Sequence, residues 1–162
     1  MKNQLDVNTS IEIKASAAQC FKYIVPVKLS HIFLPYLLLP GVEHTDEAER
    51  WIKPGLVRTV YFTDKSKATE QLLTVNPVQS FTYKITNFTG INRFLLKGIN
   101  GIWLFSKTSD NETKIKWTYL LICHNQVTKF IAKFVVSPML KAYLKRALQI
   151  LKQDLENKEN HA

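Results

Sequence analysis

Thiols, glycines and unbroken apolar runs are all scarce in this chain. Cys20 and Cys123 are the only cysteines in 162 residues, too few for a disulfide framework or a four-thiolate metal site, and both are expected to be reduced and buried. The longest apolar stretch, "HIFLPYLLLPGV", is broken by Pro35 and Pro40 and falls short of the roughly 20 residues of a bilayer-spanning helix. The opening residues lack an apolar core segment and a small-residue cleavage site, so no secretory signal is read and a cytoplasmic location is expected. His31, His44, His124 and His161 have no partner at metal-ligand spacing, and Cys123 and His124 would point to opposite faces of a strand. No Gly-rich phosphate loop, Ser-His-Asp arrangement, zinc-finger spacing or RNP-type aromatic motif is found. Neither a metal nor a cofactor is therefore expected.

The chain carries 46% hydrophobic and 22% charged residues, the balance of an ordinary globular protein. One domain over residues 1–157 is expected, followed by a frayed tail over 158–162. Lysine and arginine number 22 against 13 acidic residues, a net charge of +9. That charge suits an anionic partner, but the lysines are spread along the whole chain without a basic tract, so no nucleic acid is expected and the surface reads as a solvated basic one.

Leu5, Val7, Ile11 and Ile13 alternate approximately with polar residues, which predicts a first strand from about Leu5 to Lys14. Ser16 then reads as a helix N-cap, Phe21 and Ile24 fall at helical spacing, and Pro26 ends the segment. A second brief helix is expected within "VKLSHIFLPYL". From Gly41 to His124 the rhythm becomes that of strands. Turn signals at Lys53-Pro54-Gly55, Asp64-Lys65-Ser66, Asn76-Pro77, Gly98 to Gly101 and Asp110-Asn111 divide this region into about five or six antiparallel strands with one dry and one wetter face. After His124, Phe130, Ile131, Phe134 and Val135, then Leu140, Tyr143, Leu144, Ala147, Leu148, Leu151 and Leu155, recur three or four apart with lysines between them. That predicts a long amphipathic helix, kinked or restarted at Ser137-Pro138.

Strand, two short helices, a run of antiparallel strands and one long terminal helix is the order of the helix-grip fold. Several stretches resemble the START-like, Bet v 1-like superfamily, above all its bacterial polyketide cyclase/dehydrase and lipid-transport group, the SRPBCC proteins. They are "IEIKASAAQCFKYI", "PGLVRTVYFTDKSKATEQLLTVNPVQSFTYKI" with its Gly-x-x-Arg strand and Glu-bearing next strand, "TKIKWTYLL", and the helix ending "LQILKQDLEN". The resemblance implies an α+β helix-grip fold in which a curved sheet of about six or seven strands wraps around the C-terminal helix. It also implies a hydrophobic small molecule or lipid as partner, and allows a cyclase or dehydratase activity.

A curved sheet cannot collapse onto one helix along its whole concave face, so large side chains or a ligand must fill the gap. Phe81, Tyr83, Trp103, Phe105, Trp117, Tyr119 and Leu121 on the strands, with Phe134 and Leu144 on the last helix, are the expected walls. Tyr and Trp bring polar tips that need a partner or a wet cavity. Arg58 and Glu70, on consecutive strands, are the candidate polar and catalytic pair. The register between them is not readable, and a surface pair or no pair is expected over a buried one. Ile91, Phe94 and Leu95, beside Arg93 and Lys97, read as an entrance or lid, as an apolar tip touching a membrane, or as a short buried helix. The leading expectation is binding of a hydrophobic or amphipathic molecule, ahead of catalysis and of lipid transfer at an anionic membrane. Ligand identity and oligomeric state stay open.

Overall fold

The computed structural model describes residues 2–160, so His161 lies outside the described residues. Seven antiparallel strands form one sheet, β1 (Gln4–Ile13), β2 (Val42–Thr45), β3 (Val57–Phe62), β4 (Lys67–Asn76), β5 (Ser80–Thr86), β6 (Leu96–Ser109) and β7 (Glu112–Cys123). Their order is β1-β7-β6-β5-β4-β3-β2. The sheet curves around the C-terminal helix, which is the helix-grip arrangement. β1 is brought from the start of the chain to pair with β7, Val7 opposite Tyr119 and Thr9 opposite Trp117.

Two short helices make the corner after β1, α1 (Ala17–Ile24) and α2 (Leu29–Ile32). Ser16 caps α1 as its sequence position predicts. Its hydroxyl accepts from the Gln19 amide while the Gln19 side chain accepts from the Ser16 amide at 2.8 Å, so two otherwise orphaned donors are satisfied reciprocally. Asp154 on the last helix holds the corner down, accepting from Tyr23 at 2.9 Å and meeting His31 Nε2 at 2.7 Å.

The stretch read as a turn at Gly98 to Gly101 lies inside β6. Gly98 is at a shift in the β6–β7 register, and a Cβ there would meet the Ile85 carbonyl at 3.0 Å. A Cβ on Gly101 would run into the Tyr83 ring. Both glycines mark close approach within a strand and neither ends one.

The helical end of the chain comprises α4 (Gln126–Ile131), a π-helical turn over Ala132–Val136, and α5 (Ser137–Asn160). The π turn directly precedes Pro138, where an α-helix would need a missing amide and would press the ring against the carbonyl four residues back. The α-helix thus restarts at Ser137-Pro138, joined to α4 without a break through one widened turn. α5 runs through Asn160, so the first part of the expected tail is helical. Leu140, Leu144, Leu148, Leu151 and Leu155 are buried along one side of α5, and its far end is fastened to β1, Lys14 N–H donating to Glu156 at 2.9 Å and Lys152 to the Glu12 carbonyl at 2.6 Å. Cys20 and Cys123 are buried thiols.

Candidate functional site

Between the concave face of the sheet, the α1–α2 corner and α5 lies a cavity of about 110 Å³. Its floor is set by strand register. Phe81, Trp103 and Trp117 stand in one row across β5, β6 and β7 and stack, with centroids 5.4 Å apart for the first pair and 4.1 Å for the second. The next row is Tyr83, Gly101 and Tyr119. With no side chain at Gly101, the two tyrosines lean over the gap and their hydroxyls meet at 3.4 Å.

Tyr83 is the hub of this floor. Its hydroxyl accepts from Trp103 Nε1 at 3.3 Å and from Trp117 Nε1 at 3.1 Å and donates to Tyr119. The aromatic tips therefore satisfy one another instead of waiting for a ligand. The exception is the Tyr119 O–H, which accepts from Tyr83 and has no acceptor of its own among the described residues. Burial pushes the Tyr83 and Tyr119 hydroxyls well above an ordinary phenol, so both stay protonated and act as donors.

Arg58 and Glu70 form the polar end. They are direct partners in the β3–β4 ladder, each 3% exposed, with Arg58 Nε 2.6 Å from a Glu70 oxygen. The expectation of a surface pair or none is corrected. The register puts both on the concave parity, where neither charge can be left unpaired. Two residues outside the sequence reading complete the group, both on the β2–β3 connection: Glu47 accepts from Arg58 at 3.0 Å, and Trp51 lies under the guanidinium at 4.0 Å. Two carboxylates thus share one cation. Burial drives the Glu70 carboxyl above its usual range, only partly offset by Arg58. Burial also raises Glu47, but hydrogen bonds from Thr45 and its own amide, with the pull of Arg58, outweigh it and hold Glu47 low.

Of the residues expected as walls, Phe81, Tyr83, Trp103, Trp117 and Tyr119 line the cavity together with Arg58 and Glu70. Phe105, Leu121 and Leu144 are buried beside it without lining it. Phe134 is corrected outright. It is 57% exposed because the π turn sets residues 130–135 out of phase with the buried side of α5. Ile91 and Phe94 are exposed and Leu95 is half-buried on α3 (Asn92–Leu95), whose Asn92 is the residue facing the cavity. The sequence reading missed Phe33 and the lining role of Tyr143, which stack at 5.0 Å while Tyr143 donates to the Pro40 carbonyl at 2.6 Å. Trp51 had one available signal, an isolated large aromatic in the charged stretch "TDEAERWIKPG".

Among the described residues no three His, Cys, Asp or Glu side chains gather as a metal site, and no helix is long and apolar enough to cross a membrane.

A family model described as polyketide cyclase / dehydrase and lipid transport matches residues 4–156. No curated protein matches the sequence. Among solved structures, the chain is similar to the protein XoxI from Bacillus cereus, at 20% identity and TM-score 0.69, covering 98% of this chain and 99% of that one. It is also similar to a norcoclaurine synthase mutant from Thalictrum flavum bound to a transition-state analogue, at 15% identity and TM-score 0.71 over 96% of both chains. A Streptomyces aromatase/cyclase, Zhui, matches at 13% identity and TM-score 0.71, over 96% of this chain and 95% of that one. At these identities the likeness is one of fold.

Proposed function

From the premise that this chain belongs to the polyketide cyclase/dehydrase and lipid-transport family, we propose that it binds a small amphipathic molecule in the cavity beneath α5. The observation that carries this reading is the pairing of an almost wholly apolar and aromatic wall with a donor that has no acceptor among the described residues, the Tyr119 hydroxyl. A ligand suited to it has an apolar body and an oxygen that accepts from Tyr119. The volume of about 110 Å³ is below the roughly 150 Å³ cavity that holds one benzene, so the closed cavity takes a short aliphatic segment and falls short of a whole aromatic ring. A larger ligand requires the β2–β3 connection or the α2–β2 segment to move outward.

Native mass spectrometry of the gently purified protein, compared with its denatured mass, tests this reading. A bound mass that disappears on denaturation is expected, and Val60→Phe, which pushes a ring into the cavity, should abolish it. Absence of a bound mass, together with no uptake of small apolar ketones or phenols by calorimetry, would sink the proposal.

A second reading is favoured by Glu70. A buried carboxyl with a raised pKa, near two protonated tyrosines, can hold and return a proton, and two structures of this fold carry the names of enzymes. A cyclase- or dehydratase-like step here would use Glu70 as the acid or base and Tyr119 to polarise a carbonyl. Turnover lost in Glu70→Gln with binding retained would favour it over binding alone.

A further inference from the structure

A surface that the cavity does not use stands beside it. Phe94 on α3 is 63% exposed and Ile91 just before it is exposed as well. Val127, Phe130, Phe134 and Val135, along α4 and the π turn, are also turned outward, and the Phe130 and Phe134 rings touch, with centroids 4.6 Å apart. His124 joins the two helices, its Nε2 meeting the Arg93 carbonyl at 2.9 Å and its amide donating to the Leu95 carbonyl at 3.4 Å. Large apolar side chains gathered on two adjoining helices have no role in holding this fold, and such groupings mark interaction sites.

Charge identifies the partner. Arg93 lies over the Phe94 ring at 4.6 Å and Lys133 over the Phe134 ring at 5.3 Å, with Lys97 and Lys129 on the same two segments. No aspartate or glutamate occurs from Gly90 to Ser109, or between Glu112 and Asp154. We propose that this face is a docking surface for an anionic phospholipid bilayer, in which the exposed rings enter the boundary between headgroups and acyl chains while Arg93, Lys97, Lys129 and Lys133 meet lipid phosphates. A second copy of the chain fits less well, because a two-fold contact would set these cations against their own copies. Asn92, on the same helical turn as Phe94, lines the cavity, so the docked face borders it. The surface is independent of what the cavity holds.

Flotation of the full chain with vesicles tests this. Binding is expected to phosphatidylcholine vesicles containing about one quarter phosphatidylglycerol and not to phosphatidylcholine alone, weakening about ten-fold or more between about 0.1 M and about 0.5 M salt. Lys97→Glu/Lys133→Glu should weaken it by at least about 25-fold, and Phe94→Ser/Phe130→Ser should abolish it, with thermal midpoints unchanged since all four side chains are exposed. The cavity-filling Val60→Phe should bind vesicles as the parent does, which separates this test from that of the cavity. No binding to anionic vesicles, binding indifferent to both double variants, or a dimer in light scattering that Phe94→Ser/Phe130→Ser dissolves would overturn the proposal, the last by assigning the face to a second copy.

Discussion

Arg58 and Glu70 oppose each other across the β3–β4 ladder and meet at 2.6 Å on the inner face of the sheet, while Glu47 reaches the same guanidinium from the β2–β3 connection. One cation thereby ties a sheet interior to a surface segment. Removing it should be costly: Arg58→Leu is expected to destabilise by about 3–5 kcal/mol, because it strands a buried carboxylate. Arg58→Leu/Glu70→Leu should recover more than half of that loss. Urea unfolding of the two variants decides the matter, and equal losses would mean that packing, and not the stranded charge, sets the cost.

The two carboxylates act in different pH windows. Burial holds Glu70 above its reference pKa of 4.5, so the folded chain keeps a proton that the unfolded chain has released. Its contribution to stability is full below pH 4.5 and is lost as pH rises through the raised value. Glu47, held below 4.5, has the opposite sense, adding stability above 4.5 and losing it as pH falls. Glu70→Gln should therefore gain stability relative to the parent as pH climbs above 4.5, seen as converging or crossing urea midpoints. A constant difference at every pH would contradict the shift.

Tyr83→Phe removes the acceptor of two buried indole N–H groups and is expected to cost about 2–4 kcal/mol, since each orphaned donor carries its own desolvation penalty. Tyr119→Phe orphans only one hydroxyl and should cost about 1 kcal/mol. The order of the two unfolding free energies is the check, with tryptophan fluorescence reporting the disturbed indoles in Tyr83→Phe alone.

Gly101→Ala places a methyl where the Tyr83 ring lies and should destabilise by about 2 kcal/mol or more through overpacking. The double variant Gly101→Ala/Tyr83→Ala should show less than the sum of the single losses. Additive losses would separate the glycine from the tyrosine.

Cys20 and Cys123 are both buried, and burial raises the Cys123 thiol above its usual value. Neither should react with a thiol reagent under native conditions, and the rate under mild denaturant should follow global opening. Prompt labelling of Cys123 would show that the end of β7 opens by itself.

The element order and the concave parity of Phe81, Tyr83, Trp117 and Tyr119 were legible because periods of two and of 3.6 leave marks in the sequence itself. The Ser16 cap was legible for the same reason, being local. Register is a relation between distant segments, so the Arg58–Glu70 contact had no local signature. Gly98 and Gly101 misled because glycine signals both a turn and a close approach, and only the neighbouring strand shows which. Phe134 misled although a sign was present: Val135 and Leu140 are five apart, where a continuous helical stripe allows three or four.

That spacing gives the π turn its larger consequence. An extra residue in a helix turns everything before it by about 100° relative to everything after it. Ala132 faces the core while Phe130 and Phe134 face out, only because the winding slips at this point. Deleting one residue from 132–136 would rewind the rod and bring bulky Ile131 round toward the place that Ala132 now fills. The C-terminal helix thus carries two addresses, one read by the protein interior and one read by the outside, and a single inserted residue keeps them from being exchanged.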